Sequence, residues 1–298
     1  MNLDFRKKLN SKNFLVTAEI SPPKGSDISS ALADVEGLKD RVDALNVTDN
    51  QCSIMHMSSL AFSKCLLDKG HEPIMQLTCR DRNRIGLQAD LLGAYALGIR
   101  NICLMSGDYP SCGDHPGAKA VYDLDSVQLL DVVSKLNSGF DFAGNPLEGK
   151  TDFCGGAVSN INPKEFLQLL KLEKKVRCGA KFIQTQAVYD IGQFEAFMES
   201  ISHLEVPVLA GLIPLKSPKM AAYMNKHISG IEVPEELIFR LKKASEPQEE
   251  GLLIAVETIK ELKKLCRGVH IMPVGSHSKT LTLLEKAEIL PQANPAST

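Results

Sequence analysis

The chain has 298 residues, 34 basic and 36 acidic, a formal net charge of −2 and an apolar fraction of 44%. Such a balance leaves no polybasic surface of the kind that grips nucleic acid or an anionic membrane. No apolar run reaches the roughly 18 residues of a membrane span, and the opening MNLDFRKKLNSKN has no apolar core, so no signal peptide is expected and a cytoplasmic location is.

The eight cysteines are scattered without a CxxC pair, which supplies neither zinc-ribbon nor iron–sulfur spacing; they are expected to be mostly buried thiols. The histidines show neither HxH nor HExxH spacing, so no metal site is expected. GxGxxG and GxxxxGK[ST] are both absent, which removes the phosphate-binding turns of Rossmann and P-loop folds.

In chain order, short β-branched or apolar runs at 14–21, 44–49, 73–79, 101–107, 152–159, 181–188, 207–215 and 268–275 read as strands. Amphipathic stretches at 29–42, 53–70, 83–99, 125–137, 163–180 and 191–204 read as helices between them, with Gly70, Gly98 and Gly179 placed to terminate three. Eight β-α units predict an α/β fold, a (β/α)8 TIM barrel over residues 1–290, followed by a short polar tail at 291–298. Two longer spacings, 108–151 and 216–267, leave from the C-terminal ends of strands, the face that carries the active site in such barrels.

Strand alternation sends Leu15, Thr17 and Glu19 toward the barrel axis, with Glu19 near the top. Ile20 and the Pro22-Pro23 pair are expected to desolvate that carboxyl and favour its protonated form, making Glu19 a candidate general acid; an internal salt bridge is the alternative. The same parity places Asn46, Thr48, Gln76, Thr78, Gln184 and Gln186 at the mouth, polar groups suited to a flat heterocycle such as a pterin or isoalloxazine, or to bound water. Asp108 closes the fourth strand in SGDYP, where it can accept from ring N–H groups or cap the next loop. Lys171, Lys174 and Lys175 lie on the helix after strand five and could meet a pyrophosphate or form a solvated face.

The segments TAEISPPKG (17–25), NVTDN (46–50), LTCRDRN (77–83), LMSGDYP (104–110), SNINPKEF (159–166), KVRCGAKFIQTQAVYD (175–190) and LAGLIPL (209–215) resemble, in order, the strand-end motifs of the flavin-dependent methylenetetrahydrofolate reductases, and GVHIMPVGS resembles their short, single-barrel bacterial members. The resemblance spans roughly residues 14–275. It implies a flavin, FAD or FMN, across the barrel top and hydride transfer that converts 5,10-methylenetetrahydrofolate to 5-methyltetrahydrofolate. It assigns Glu19 as general acid, Asp108 between flavin and pterin, Gln186 to the pterin, Thr48 beside flavin and nicotinamide, and Ser106, Gly107, Lys171, Lys174 and Lys175 to the flavin. Gln76 and Asn162 stand where some relatives place flavin-contacting histidines, Ser106 where they place arginine, Val158 where they place tyrosine and Gln168 where they place aspartate.

Pro218 takes the place of a phenylalanine that can stack on nicotinamide or folate. That substitution and the lack of cluster ligands leave two electron donors, NAD(P)H directly or an iron–sulfur partner subunit, and an oligomer or hetero-complex is expected. Two other classes stay open: a corrinoid-linked methyltetrahydrofolate methyltransferase-like barrel, and a non-catalytic flavin electron-transfer subunit.

Overall fold

The computed structural model describes residues 5–11, 13–162, 165–228, 230–275 and 277–289. Its eight strands are β1 (Leu15–Ile20), β2 (Ala44–Val47), β3 (Pro73–Thr78), β4 (Asn101–Met105), β5 (Cys154–Ser159), β6 (Phe182–Ala187), β7 (Val208–Leu212) and β8 (Gly268–Ile271). Each falls inside its expected range. They pair in parallel in chain order, and β8 closes onto β1 with Thr17 opposite His270, so the fold is the expected TIM barrel.

The helices are α1 (Phe5–Leu9), α2 (Ser29–Glu36), α3 (Ser59–Asp68), α4 (Arg84–Ala96), α5 (Ser126–Ser138), α6 (Phe166–Arg177), α7 (Ile191–Ser200), α8 (Pro218–His227), α9 (Glu235–Lys243), α10 (Pro247–Leu265) and α11 (Ser278–Lys286). Four of them, α4, α5, α7 and α8, start where a side chain accepts from free N–H groups of the first turn. Asn83 accepts from Ile85 and Gly86 ahead of α4, and Asp125 forms a reciprocal capping box with Gln128 ahead of α5.

The helix expected from residue 53 begins only at Ser59, because residues 51–53 form a 3₁₀ turn in which Cys52 and Ser53 are left-handed. The helix expected over 29–42 ends at Glu36. Within the 216–267 stretch, α8 and α9 pack on each other, while α10 lies against α7, α11 and β8 as the helix that links β7 to β8. The expected tail at 291–298 and the Pro163-Lys164 step lie outside the described residues.

Parity along β1 divides the core. Val16 packs into the layer between strands and helices, whereas Leu15 joins Ala44, Ile74, Cys103, Cys154, Phe182 and Leu209 inside the barrel. Helix α1 plugs the N-terminal end: Phe5 and Leu9 are buried in that same cluster, and the Phe5 ring meets Phe182 edge-on at 5.3 Å. Phe182 fits only because residue 156 is glycine, since a Cβ there would lie 2.2 Å from its ring. Above this apolar plug sits a polar floor of Thr17, Asn46, Gln184 and His270, all buried.

Candidate active site

At the C-terminal end of the strands the barrel opens into a cavity of about 400 Å³ above that floor. Glu19 lies at its base with its side chain 12% exposed. Oε1 accepts from Gln51 Nε2 at 2.8 Å, Oε2 lies 3.4 Å from Gln76 Nε2, and His270 Nε2 is 3.6 Å from Oε2. Among the described residues no lysine or arginine pairs with this carboxylate, and the ionisable side chain beside it is His270. Its immediate surroundings are amides and an imidazole, not the proline pair alone.

Asp108 follows Gly107, whose φ of 88° turns the chain sharply at the end of β4. The Asp108 carbonyl is pinned by Ser53 Oγ at 3.0 Å, Tyr122 OH at 2.9 Å and Arg80 Nη1 at 3.4 Å. Its carboxylate is thereby presented to the cavity and receives no hydrogen bond among the described residues, so it does not act as a turn cap. The loop that carries Tyr122 is itself tied down, with Val121 N donating to Arg80 O and Tyr122 N to Cys79 O. Asp114 of the same excursion pairs with Lys24 from the β1 loop and accepts from Met55 N, contacts that hold its carboxyl well below the usual range.

The cavity brings together eight residues of the sequence-based assignment, Glu19, Gln76, Ser106, Gly107, Asp108, Lys171, Lys175 and Gln186. Three assigned residues lie off its wall. Thr48 follows the last residue of β2, is buried and donates to Ser21 Oγ at 3.2 Å. Asn162 donates to Glu165 at the start of α6, and Lys174 is exposed on that helix.

Lys171 and Lys175, one turn apart, both reach the cavity, and Lys175 donates to the Val158 carbonyl at 2.5 Å. Burial, with Lys171 nearby, brings the Lys175 ammonium down to about 8.

Four contributors were not singled out from sequence. His270 is inward-facing by parity in GVHI, but its spacing from the other histidines carries no signal. Gln51 and Arg80 act from loops, where alternation carries no information. Asp49 is buried and receives both Arg82 terminal nitrogens at 2.9 Å together with Thr78 N and Oγ1, which locks the β2 and β3 ends in register beneath the rim.

The cysteine expectation is corrected in part. Cys79, Cys103 and Cys154 are buried and Cys65, Cys178 and Cys266 partly so, but Cys52 and Cys112 are exposed because each sits on a 3₁₀ turn at the mouth.

A family model described as methylenetetrahydrofolate reductase matches residues 4–288. The chain belongs to that family. Among related proteins, Methylenetetrahydrofolate reductase 2 of Schizosaccharomyces pombe is 28% identical over 73% of this chain and 35% of its own length. Methylenetetrahydrofolate reductase 2 of Saccharomyces cerevisiae is 26% identical over 80% of this chain and 40% of its own length. The match therefore spans well under half of those yeast proteins. The 5,10-methylenetetrahydrofolate reductase of Pectobacterium carotovorum subsp. carotovorum is 25% identical over 68% of this chain and 65% of its own length.

A solved structure from Clostridium thermocellum, described as binding two copies of 5-methyl-5,6,7,8-tetrahydrofolic acid, superposes with a TM-score of 0.67 at 17% identity, covering 95% of this chain and 96% of that one. It shares the fold. Among the described residues, no helix of this family member is long and apolar enough to cross a membrane.

Proposed function

We propose that this chain reduces 5,10-methylenetetrahydrofolate to 5-methyltetrahydrofolate with a hydride from a flavin held at the barrel mouth. The observation that carries the proposal is the convergence of Glu19, Asp108 and Gln186 on one cavity in a chain whose residues 4–288 match this family. The Gln186 amide, the Asp108 carboxylate and the Ser106 hydroxyl have no hydrogen-bond partner within the described residues, which is the donor and acceptor set a polar heterocycle requires.

A flavin, FAD or FMN, fits this lining. Ser106, Gly107 and Gln76 lie where a ring would rest, and Lys171 and Lys175 offer cations for its phosphates or its reduced ring. Bound there, it supplies the hydride. Thr48, Asn162 and Lys174 would serve it only from outside the wall described above.

The chain's own part is protonation and orientation. Glu19 transfers a proton to a ring nitrogen of the folate, the methylene C–N bond opens, and the resulting iminium carbon accepts the hydride to become a methyl group; proton and hydride together balance the reduction. Gln186 and Asp108 orient the pterin by hydrogen bonds to its edge. Gln51 and Gln76 hold the Glu19 carboxyl in one orientation through the transfer.

Electrons reach the site from NAD(P)H or from an iron–sulfur partner subunit. Pro218, the first residue of α8, stands where the resemblance expects an aromatic ring that can stack on nicotinamide, which supports the partner. The test is anaerobic purification, an absorption spectrum with mass analysis of the released cofactor, then addition of methylenetetrahydrofolate to dithionite-reduced protein. Stoichiometric flavin with formation of methyltetrahydrofolate is expected; a colourless protein that forms none contradicts the proposal. Mixing with NADH then separates the donors, since rapid flavin bleaching by NADH alone removes the partner.

A further inference from the structure

This inference rests on Glu19 as the acid and adds a residue that acts through it. We propose that His270 is a positioning residue, a neutral imidazole fixed in its Nε2–H tautomer that aims this N–H at the Glu19 carboxyl and holds the carboxylate left after proton transfer.

The tautomer follows from the hydrogen bonds beneath. Gln184 Nε2, an amide nitrogen with only hydrogens to offer, lies 3.4 Å from Thr17 Oγ1. The Thr17 oxygen is thus on the accepting side of that contact, and its own proton has one partner within reach, His270 Nδ1 at 2.9 Å. A ring nitrogen that accepts carries no proton, so the proton of the neutral ring resides on Nε2. That nitrogen faces Glu19 Oε2 at 3.6 Å, slightly beyond a formed hydrogen bond. Catalytic contacts of this kind are often long before the substrate binds and tighten in the complex.

Burial keeps the arrangement single. The His270 side chain is 4% exposed, and parallel pairing sets Thr17 directly opposite His270 across the β1–β8 seam, so the ring cannot turn away without breaking the Thr17 contact. Nδ1 is engaged by the buried Thr17 hydroxyl, which leaves Nε2 to orient Oε2 as Gln51 orients Oε1.

The other titratable groups around Glu19 stand elsewhere. His277, from the turn before α11, contacts the Glu19 backbone carbonyl. Cys52 and Asp108 approach from the loops after β2 and β4, and Cys103 lies below on β4. Among the described residues only His270 brings a titratable ring to the carboxylate itself.

Two measurements on the full-length chain test the proposal. Nitrogen-15 NMR of His270 should report a protonated Nε2 and a bare Nδ1, and Thr17→Val should relax that preference. The rigidity of the Glu19 carboxyl, read by carbon-13 relaxation, should fall in His270→Leu, because the donor facing Oε2 is lost. It should return in His270→Gln, whose amide reaches about as far as Nε2 and also donates. In turnover, His270→Leu should lower kcat about tenfold with little change in KM, and His270→Gln should restore it. A protonated Nδ1, or a Glu19 carboxyl as rigid in His270→Leu as in the unsubstituted chain, overturns the proposal. If the unsubstituted chain reduces no folate, the functional reading falls, while both NMR results still decide the role of His270.

Discussion

Asn46 and Gln184 clasp each other across the barrel axis, with Asn46 Nδ2 donating to Gln184 Oε1 at 2.7 Å and Gln184 Nε2 donating to Asn46 Oδ1 at 3.1 Å. The pair closes the polar floor between the apolar plug and the cavity, and it spends on each other amide groups that sequence alternation offered to a ligand. Asn46→Leu leaves the buried Gln184 amide without its partner, which costs on the order of 1–3 kcal/mol. Chemical denaturation should record that loss, while the double variant Asn46→Leu, Gln184→Leu should recover most of it because neither orphaned amide remains. A double variant no better than the single one contradicts the clasp.

The lower plug carries a larger energetic share. Phe5 is 1% exposed against Phe182, so Phe5→Ala should destabilise by roughly 3–5 kcal/mol. Gly156→Ala should be damaging as well, since its Cβ would overlap the Phe182 ring. The pair is coupled: Gly156→Ala should be better tolerated with Phe182→Leu, which vacates the space. Equal cost in both backgrounds would show that the ring is not what excludes the methyl.

Lys175 trades stability for binding. Holding its ammonium down at about 8 against an ordinary 10.5 corresponds to roughly 3 kcal/mol of burial cost. Loss of the bond to Val158 offsets about 1 kcal/mol of this, so Lys175→Met should stabilise the flavin-free chain by roughly 2 kcal/mol near neutral pH. The gain should fade between pH 8 and 10.5, where the unfolded chain keeps a proton that the folded one has lost and the unsubstituted protein recovers stability. Flavin affinity, read by fluorescence quenching, should fall in the same variant. A less stable variant with unaltered flavin binding would contradict this account.

Acid should weaken the fold through two histidines. Burial lowers the His277 and His71 imidazoles below 6.5, so both are neutral when folded. Below about pH 6.5 the unfolded chain takes up protons that the folded chain refuses, and stability declines until the folded values are reached. Urea midpoints at pH 7 and 5.5 should show the decline, and His277→Gln should remove its share. An unchanged slope in that variant would assign the acid sensitivity elsewhere.

Much of the barrel was legible because parallel strands buried on both faces and amphipathic helices leave regular patterns, and each strand fell inside its expected range. Parity placed Glu19 at the mouth for the same reason. It carried no information on depth at Thr48, which lies just past the end of β2, is buried and bonds Ser21 rather than lining the cavity. In the lysine run, the step from Lys174 to Lys175 rotates the helix by about 100°, which moves the side chain from solvent to the cavity wall. Periodicity without a known helix phase cannot decide which of the two enters. The Gln51 and Arg80 contacts depend on loops whose course is set by tertiary hydrogen bonds, and the two mouth cysteines ride on short 3₁₀ turns that periodicity does not mark.

The most direct test of the central claim is single-turnover reduction of methylenetetrahydrofolate by dithionite-reduced protein, comparing the unsubstituted chain with Glu19→Gln. The amide keeps the shape and the Gln51 neighbourhood but cannot supply an acidic proton. With flavin content unchanged, the rate should fall about 10²–10⁴-fold, the usual worth of a general acid. A Glu19→Gln variant that forms methyltetrahydrofolate at the unsubstituted rate would contradict the account.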